Sequence, residues 1–318
     1  MIVVGIDEAG YGPLLGPLVV SATAFNVPPE RANDNLWSVL SDGVCNEPSR
    51  HETRLPIADS KILFKRKKGI ETLERTALVM LKAAGRSPET LRDLTKILAP
   101  EKLEQLSQHP WYAHYDCAIP SATSSADIAT RANAVKRCMS AQQVSIRGIF
   151  CEVVAEADYN RRIKITRNKA TLLLQAGLRL IQKIQARVGT PMIVHVDRQG
   201  GRAKYREALM TFFEGQSLRV NSETPTCSAY TLGEGDRSWT IDFTTKGESS
   251  HLPIALASVF SKYLRELYMG AVNAYFGSRV DDLTPTAGYY TDAMRFLADI
   301  APAVQREKID KSLLVRSR

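Results

Sequence analysis

The stretch Gly5-Ile6-Asp7-Glu8-Ala9-Gly10-Tyr11-Gly12-Pro13 joins an apolar run to a glycine-rich turn. Residues 1–6 are apolar and predict a buried strand, and residues 18–25 predict a second strand after the turn. Asp7 and Glu8 therefore stand at a strand end. Unpaired buried charge is costly, so carboxylates at the end of a central strand usually face a cation or a metal.

Asp7 and Glu8 cannot play identical parts in an ideal strand, because neighbouring residues point to opposite faces of a sheet. We expect Glu8 to offer its backbone carbonyl or to reach around the strand end. The alternative is an exposed hairpin turn that happens to be acidic.

The composition is that of a globular protein with a sizeable core. The chain has 318 residues, of which 44% are hydrophobic and 24% charged. No apolar stretch is long enough to cross a bilayer, and the first predicted strand leaves no room for a signal peptide, so we expect a cytoplasmic protein with no membrane partner. The five cysteines lack CxxC spacing, which argues against a disulfide framework or a zinc site. The net charge of +8 is compatible with a polyanionic partner.

Two more acidic positions follow along the chain. A predicted helix capped by Asn168 leads into the apolar run 192–197, which predicts a strand ending on Asp197. Strand–helix–strand order with acids at strand ends is how open α/β folds place ligands. Glu266 lies on a predicted helix over residues 253–270.

These carboxylates suggest a metal site. Magnesium and manganese prefer oxygen ligands, and magnesium is commonly held by a few carboxylates together with substrate phosphates. In two-metal phosphodiester hydrolysis, one ion activates the attacking water and the other stabilises the leaving oxygen. Asp7, Glu8, Asp197 and Glu266 would supply such a site if the fold brings them together.

The opening stretch resembles the signature of the type 2 ribonuclease H family, which comprises ribonucleases HII and HIII. Later segments are similar to further motifs of that family in the same order: Asp59-Ser60-Lys61, Asn168-Lys-Ala-Thr-Leu-Leu, Val196-Asp197 followed by Lys204-Tyr205, Lys246-Gly247-Glu248, Ala257-Ser-Val-Phe-Ser-Lys262, Arg265-Glu266 and Gly288-Tyr289-Tyr290-Thr291. Each later segment alone is weak, whereas the ordered set is specific.

The resemblance implies an α/β ribonuclease H-like fold, with a mixed five-stranded sheet flanked by helices. It also implies divalent-metal cleavage of the RNA strand of RNA–DNA hybrids, leaving 5′-phosphate and 3′-hydroxyl ends. We expect one catalytic domain over residues 1–318 that acts as a monomer. The chain is longer than is usual for the family, and we predict helical and β insertions near 27–56, 86–125 and 214–245, with a C-terminal helical part over 270–318.

The resemblance also assigns site residues. Asp7, Glu8, Asp197 and Glu266 take the catalytic and metal-binding roles with two Mg²⁺ or Mn²⁺ ions, and Asp7 bridges the two. The insertion before Glu266 leaves Glu248 or Asp242 as the alternative fourth acid. For substrate binding, the resemblance points to the turn Gly10, Tyr11 and Gly12 and to Tyr289. Charge and position add Lys61, Arg198 and Arg202, the two arginines because they adjoin Asp197, as candidates for phosphate contact. Lys262 could bind phosphate or simply pair with Glu266 at i,i+4. The basic run 65–68 is a further candidate for phosphate contact.

Tyr11 departs from the family pattern, in which the turn reads Gly-Arg-Gly or Gly-Lys-Gly. In the family the backbone of this turn approaches the ribose 2′-hydroxyl, which distinguishes RNA from DNA. The two glycines remain here, but the basic side chain is replaced by one that could stack on a base or sugar. Two alternatives therefore stay open: a related nuclease with an altered nucleic-acid substrate, and a non-catalytic nucleic-acid-binding protein on the same fold.

Overall fold

The computed structural model describes residues 1–48, 53–64, 69–189, 191–198 and 202–317. The strands are β1 (Ile2–Ala9), β2 (Leu18–Asn26), β3 (Val44–Cys45), β4 (Leu55–Pro56), β5 (Ser145–Val154), β6 (Met192–Asp197), β7 (Leu218–Glu223), β8 (Cys227–Leu232) and β9 (Trp239–Thr244). The α-helices are α1 (Leu36–Val39), α2 (Ser60–Leu63), α3 (Glu71–Ala83), α4 (Leu91–Leu98), α5 (Leu103–Ser107), α6 (Pro110–Ala113), α7 (Ser125–Ala141), α8 (Glu156–Thr166), α9 (Lys169–Val188), α10 (Arg206–Phe212), α11 (Gly247–Ser250), α12 (Leu252–Gly277), α13 (Tyr290–Asp299), α14 (Ala301–Arg306) and α15 (Lys311–Leu314). Short 3₁₀ helices cover Pro29–Arg31, Pro100–Lys102 and Gly235–Arg237.

The main sheet has seven strands in the order β5-β2-β1-β6-β9-β8-β7. Its centre is parallel, since β1 pairs with β6 and β6 with β9 in the same direction, and its flanks are antiparallel. The expected mixed α/β sheet is confirmed, but the expected count of five strands is wrong. The two additional strands, β7 and β8, come from the region 214–245 and extend the sheet beyond β9.

Helices cover both faces of this sheet. On one face α12 packs against β1 and β2, and on the other α9 packs against β2 and β5. The N-terminus of α9 forms where predicted, because the Asn168 side chain accepts hydrogen bonds from the backbone N–H groups of Ala170 and Thr171. The first residues of α12 are apolar and buried, so its N-terminal end lies in the core.

The three predicted insertions contain distinct structures. Region 27–56 carries α1 and the short pair β3–β4, and region 86–125 carries helices α4 to α6. Region 214–245 includes β9, which pairs with β6 in the parallel centre of the sheet. The predicted C-terminal helical part begins inside α12 and continues through α13, α14 and α15.

No helix within the described parts of the chain combines the length and the apolar character needed to span a membrane.

Gly5 permits the closest approach between α12 and the sheet. A Cβ atom at Gly5 would lie 2.1 Å from the backbone nitrogen of Ile254 and from the carbonyl carbon of Pro253. On the neighbouring strand, the Thr23 hydroxyl donates to the Pro253 carbonyl oxygen at 2.7 Å. The start of α12 is therefore fixed directly over β1, two residues before the acidic pair.

We predict that Gly5→Ala destabilises the protein by about 3 kcal/mol or more, because the added methyl group would overlap backbone atoms that cannot turn aside. Gly12→Ala is the matched control: an added Cβ there meets no heavy atom within 4 Å. Urea unfolding of both variants measures the difference. Equal stability of the two variants would contradict the proposed close contact.

Candidate active site

Acidic side chains from separate elements line one cleft of about 230 Å³ at the carboxyl ends of β1 and β6. The parallel register pairs Ile6 with Val196, so Asp7 and Asp197 follow at the same edge of the sheet. Strand alternation directs Asp7 toward α12 and Glu8 toward the opposite face. Glu8 nevertheless lines the same cleft, because it lies one residue before the end of β1.

Glu248 is the fourth acid of this cleft. It lies on the short helix α11, which follows β9, the strand beside Asp197. The backbone N–H of Gly247 donates to Asp197 Oδ1 at 2.8 Å and so fixes α11 against the end of β6. The Glu248 Oε2 atom is buried and has no hydrogen-bond partner within the described structure.

Glu266, the predicted fourth acid, lies outside the lining of the cleft. Lys262 lines the cleft, and Glu266 follows one helical turn later, where its Oε1 accepts a hydrogen bond from Lys262 Nζ at 2.6 Å. Asp242, the other alternative, is held by His195 and Thr244. The structure thus gathers Asp7, Glu8 and Asp197 as predicted, together with Glu248.

The electrostatics of the cleft reflect buried like charges. Burial, and then the charge of Glu8, raise the pKa of Asp7 well above its usual range. Burial, and then Asp197, raise the pKa of Glu8 to about 7, while burial followed by Asp7 and Glu248 raises the pKa of Asp197 to about 8. These carboxylates repel one another, so a bound cation would stabilise their charged forms.

Lys61 is the exposed cation beside these acids. Burial by itself would lower the pKa of Lys61, but nearby carboxylates, chiefly Asp59 and Glu248, raise it. Its neighbour Asp59 caps α2, because the Asp59 side chain accepts a hydrogen bond from the backbone N–H of Lys61 at 3.0 Å. The Lys61 side chain is 84% exposed, and its ammonium group lies 3.9 Å from Asp59 Oδ2, so it can also meet an anion at the rim of the cleft.

Two serines of α12 support Asp7 and were not predicted. Ser261 Oγ donates to the Asp7 carbonyl oxygen at 3.0 Å and to Ser21 Oγ at 2.8 Å. Ser258 forms a side-chain hydrogen bond with Asp7 that lowers the pKa of that carboxyl against the effect of burial. The sequence signal is a pair of hydroxyl residues spaced i,i+3 on an otherwise apolar helix face.

The glycine-rich turn passes over α12. Gly10 has a φ of +88°, and a Cβ there would lie 2.7 Å from the Pro17 carbonyl oxygen and from Arg265 Cδ. The buried Arg265 side chain donates through Nη2 to the Leu15 carbonyl oxygen at 3.3 Å. The Gly288 carbonyl oxygen accepts from the backbone N–H of Leu14 at 2.8 Å. The turn is therefore a fixed surface rather than a loose loop.

A segment near residue 316 also holds this turn. The backbone N–H of Arg316 donates to the Leu14 carbonyl oxygen at 2.9 Å, and its guanidinium donates to the Pro13 carbonyl oxygen. The side chain is 2% exposed and lies 4.7 Å over the Tyr159 ring. Asn160 accepts from the Ser317 backbone N–H at 2.6 Å, which ties the segment to α8.

The predicted substrate-binding residues fall into two groups. One group lines the cleft: Gly10, Tyr11, Gly12, Lys61, Lys262 and Tyr289. Arg198 and Arg202 do not. Arg198 donates to the Thr224 carbonyl oxygen and to Ser228 Oγ, and Arg202 donates to Thr171 Oγ1 at 3.3 Å. The basic run 65–68 lies outside the described residues.

His195, two residues before Asp197, forms a stacked pair with His251. His195 Nδ1 and Asp242 Oδ2 are 2.7 Å apart, and the His251 ring stacks on His195 with centroids 3.9 Å apart. The candidate ligand atoms of these three residues lie within 4.8 Å of one another. A metal binds in the plane of an imidazole ring, however, so the stacked pair suits packing rather than shared coordination. His195 is a sheet residue whose ring is paired with Asp242.

Comparison with known proteins gives similarities to ribonucleases HII and HIII. No protein-family model matches the chain. A 41-residue stretch, 13% of this chain and 18% of the relative, is 56% identical to a ribonuclease HII of Gluconobacter oxydans. A ribonuclease HII of Archaeoglobus fulgidus, solved with PCNA, aligns over 100% of this chain and 95% of its own at 16% identity and a TM-score of 0.47. Bst-RNase HIII with Mn²⁺ aligns over 99% and 66% at 13% identity and a TM-score of 0.46.

We predict that Asp197→Asn stabilises the metal-free protein at high pH. The folded-state pKa of about 8 exceeds the unfolded value of about 3.9, so the wild-type protein loses stability as the pH rises between them. Asparagine at position 197 cannot ionise, so it removes this loss of stability, and its side-chain oxygen can still accept the hydrogen bond from the Gly247 backbone N–H. In EDTA, the wild-type protein and the variant should therefore have similar melting temperatures near pH 4. Above pH 8 the variant should melt at the higher temperature, by roughly 2–4 °C for each kcal/mol of stability gained. A difference that is largest at low pH would refute the assignment.

Proposed function

We propose that this protein is a divalent-metal-dependent endonuclease that hydrolyses the RNA strand of RNA–DNA hybrids to 5′-phosphate and 3′-hydroxyl ends. The observation that carries the proposal is the convergence of Asp7, Glu8, Asp197 and Glu248 on one cleft, directly beside the glycine-rich turn. The ribonuclease HII and HIII names of the similar proteins support the same activity. We propose Glu248, rather than Glu266, as the fourth acid.

The donor set of the cleft fits hard divalent cations such as Mg²⁺ or Mn²⁺. All four acids offer oxygen, and the unpartnered Oε2 of Glu248 can accept such an ion. Protein ligands alone leave the site negative, so a cation offsets the repulsion that raises the pKa of Asp7 and Asp197. When bound, such ions would supply a nucleophile from water at neutral pH and stabilise the leaving oxygen.

The surrounding residues would position the nucleic acid. Lys61 and Lys262 border the acids and can contact phosphates on either side of the scissile bond. The turn at Gly10 and Gly12 brings backbone close to the substrate, where it would meet the ribose 2′-hydroxyl. Tyr289 is 53% exposed at the same cleft and offers a ring face to a sugar or base.

A binding protein without catalysis would not need this arrangement. A cluster of buried carboxylates repels a polyanion, so it weakens nucleic-acid binding unless cations offset the charge. Calorimetric titration with Mn²⁺ separates the two possibilities, since a pure binder should take up no metal through Asp7 and Asp197.

We predict that Glu248→Gln lowers hydrolysis of a labelled RNA–DNA hybrid by roughly 100-fold or more, because even residues that only support metal ligands cost 10–100-fold when changed. Glu266→Gln is the matched control: the same chemical change, one helical turn beyond Lys262, should leave cleavage within about threefold of the wild-type rate. Cleavage is measured with Mg²⁺ and with Mn²⁺, and Asp7→Asn serves as the inactive reference. Loss of activity in Glu266→Gln but not in Glu248→Gln would reverse the assignment, and activity in Asp7→Asn would refute the proposal.

Tyr11 favours a substrate preference that differs from the family's. Its side chain is partly buried against the core beneath α9, so the ring is held in place at the mouth of the cleft. A ring in that position can stack but cannot pair with phosphate as arginine would. A panel of continuous hybrids, single ribonucleotides in DNA, RNA duplexes and structured DNA tests which substrate is cleaved.

We predict that Tyr11→Ala weakens hybrid binding by about 1–3 kcal/mol, whereas Tyr11→Phe keeps it, because stacking uses the ring and not the hydroxyl. Fluorescence anisotropy with both changes made in the Asp7→Asn background measures affinity without cleavage. If the alanine and phenylalanine variants bind equally well, the ring does not stack on the substrate.

A further inference from the structure

A second cavity, of about 750 Å³, lies away from the acidic cleft between β5, α8 and α9. Basic and acidic side chains line it, together with apolar and amide groups. Its cations are Lys102, Arg162, Arg179 and Lys183, and its carboxylates are Glu101 and Glu152. Positive charge therefore exceeds negative charge on this lining.

Three of these cations converge on one carboxylate oxygen. Glu152 Oε1 lies 2.9 Å from Lys102 Nζ, 2.9 Å from Arg162 Nη2 and 3.7 Å from Arg179 Nε. Asp158 also pairs with Arg162 at 2.7 Å, but it is shared with the exposed Arg161. Glu152 and Asp158 together face these three cations, and Asp158 is shared with Arg161, so the group remains short of negative charge.

The guanidinium groups show the same deficit. Arg162 Nη1, Arg179 Nε and Arg179 Nη2 are buried and have no hydrogen-bond acceptor in the part of the chain that the structure describes. Burial, and then the charge of Arg162, lower the pKa of Arg179. Unsatisfied buried donors are unfavourable, and an anion with several acceptor oxygens would satisfy them.

We propose that this cavity binds a phosphate group, carried either by a nucleic-acid backbone or by a free phosphate compound. Two guanidinium forks suit the oxygens of phosphate, which accept paired hydrogen bonds, and the two lysines add charge. Lys183 pairs with Glu101 at the rim, where the Glu101 side chain is 45% exposed, so a small shift turns the Lys183 ammonium group toward the bound anion.

The position of the cavity links it to the cleft. Glu152 on β5 lies opposite Val20 on β2. Val20 in turn lies opposite Glu8 on β1. Two strand spacings separate Glu152 from Glu8, or roughly 10 Å. Measured along the axis of a duplex, that distance corresponds to a rise of about three base pairs. The nucleic-acid source therefore rests on the proposed function, whereas phosphate binding itself does not.

The first experiment measures phosphate binding alone. The melting temperature of the whole protein is followed in EDTA while inorganic phosphate replaces chloride at constant ionic strength. Phosphate should raise it saturably in the wild type, and Arg179→Gln and Lys183→Gln should weaken binding at least about tenfold. Arg187→Gln removes the same charge from the end of α9, where Arg187 lies over Phe150, and should bind as the wild type does. Equal stabilisation of all four proteins would overturn the proposal, as would loss in Arg187→Gln alone.

The second experiment identifies the source of the phosphate. Hybrid binding by Asp7→Asn is measured over a range of salt concentrations, with and without Arg179→Gln. The slope of log binding constant against log salt concentration reports the number of phosphate contacts. If this slope decreases in the double variant by the amount of about one contact, the cavity binds the nucleic-acid backbone. An unchanged salt dependence, with phosphate binding lost, assigns it to a free phosphate compound. Neither measurement involves cleavage, so failure of the nuclease assay would leave the phosphate result standing.

Discussion

The close approach of α12 to β1 at Gly5 is the constraint on which the site depends. The start of α12 crosses the sheet at backbone contact distance, and this fixes Ser258 and Ser261 beneath Asp7. The parallel pairing of β1 with β6 then places Asp197 at the same sheet edge. Since α11 precedes α12 directly, the same approach delivers Glu248. Acids from three separate parts of the sequence thus meet at one edge of the sheet.

The cluster of buried acids lowers the stability of the folded protein but prepares the cleft to bind a ligand. Raised carboxylate pKa values mean that folding buries these groups and also adds a repulsion between them that the unfolded chain does not have. The apolar packing of α9 and α12 against the two sheet faces offsets that repulsion. An electrostatically unfavourable cluster inside a well-packed fold is typical of functional sites, where charge is prepared for a ligand.

Much of the site was predictable, and the misses share a physical cause. Asp7 and Asp197 end apolar runs, so strand periodicity and the edge rule of parallel sheets indicate them. The choice between Glu248 and Glu266 depends on how α11 and α12 dock, which no local pattern encodes. Strands β7 and β8 were expected as a β insertion, but their pairing onto the edge of the sheet is a tertiary event. The basic cavity could not be predicted from the sequence, because its charged residues come from separate elements. Arg198 was predicted to bind substrate because it adjoins Asp197.

The hold of Arg316 on the glycine-rich turn has a consequence for how the protein is made. The contact joins residues 303 positions apart, so it is among the most non-local in the fold. A ribosome extends a chain at about 5–20 residues per second, and domains fold as the chain emerges. The sheet edge with Asp7 and Asp197 can therefore assemble while the turn beside it still lacks its last support. The support that Arg316 gives to the turn can form only after residue 316 has been added to the chain.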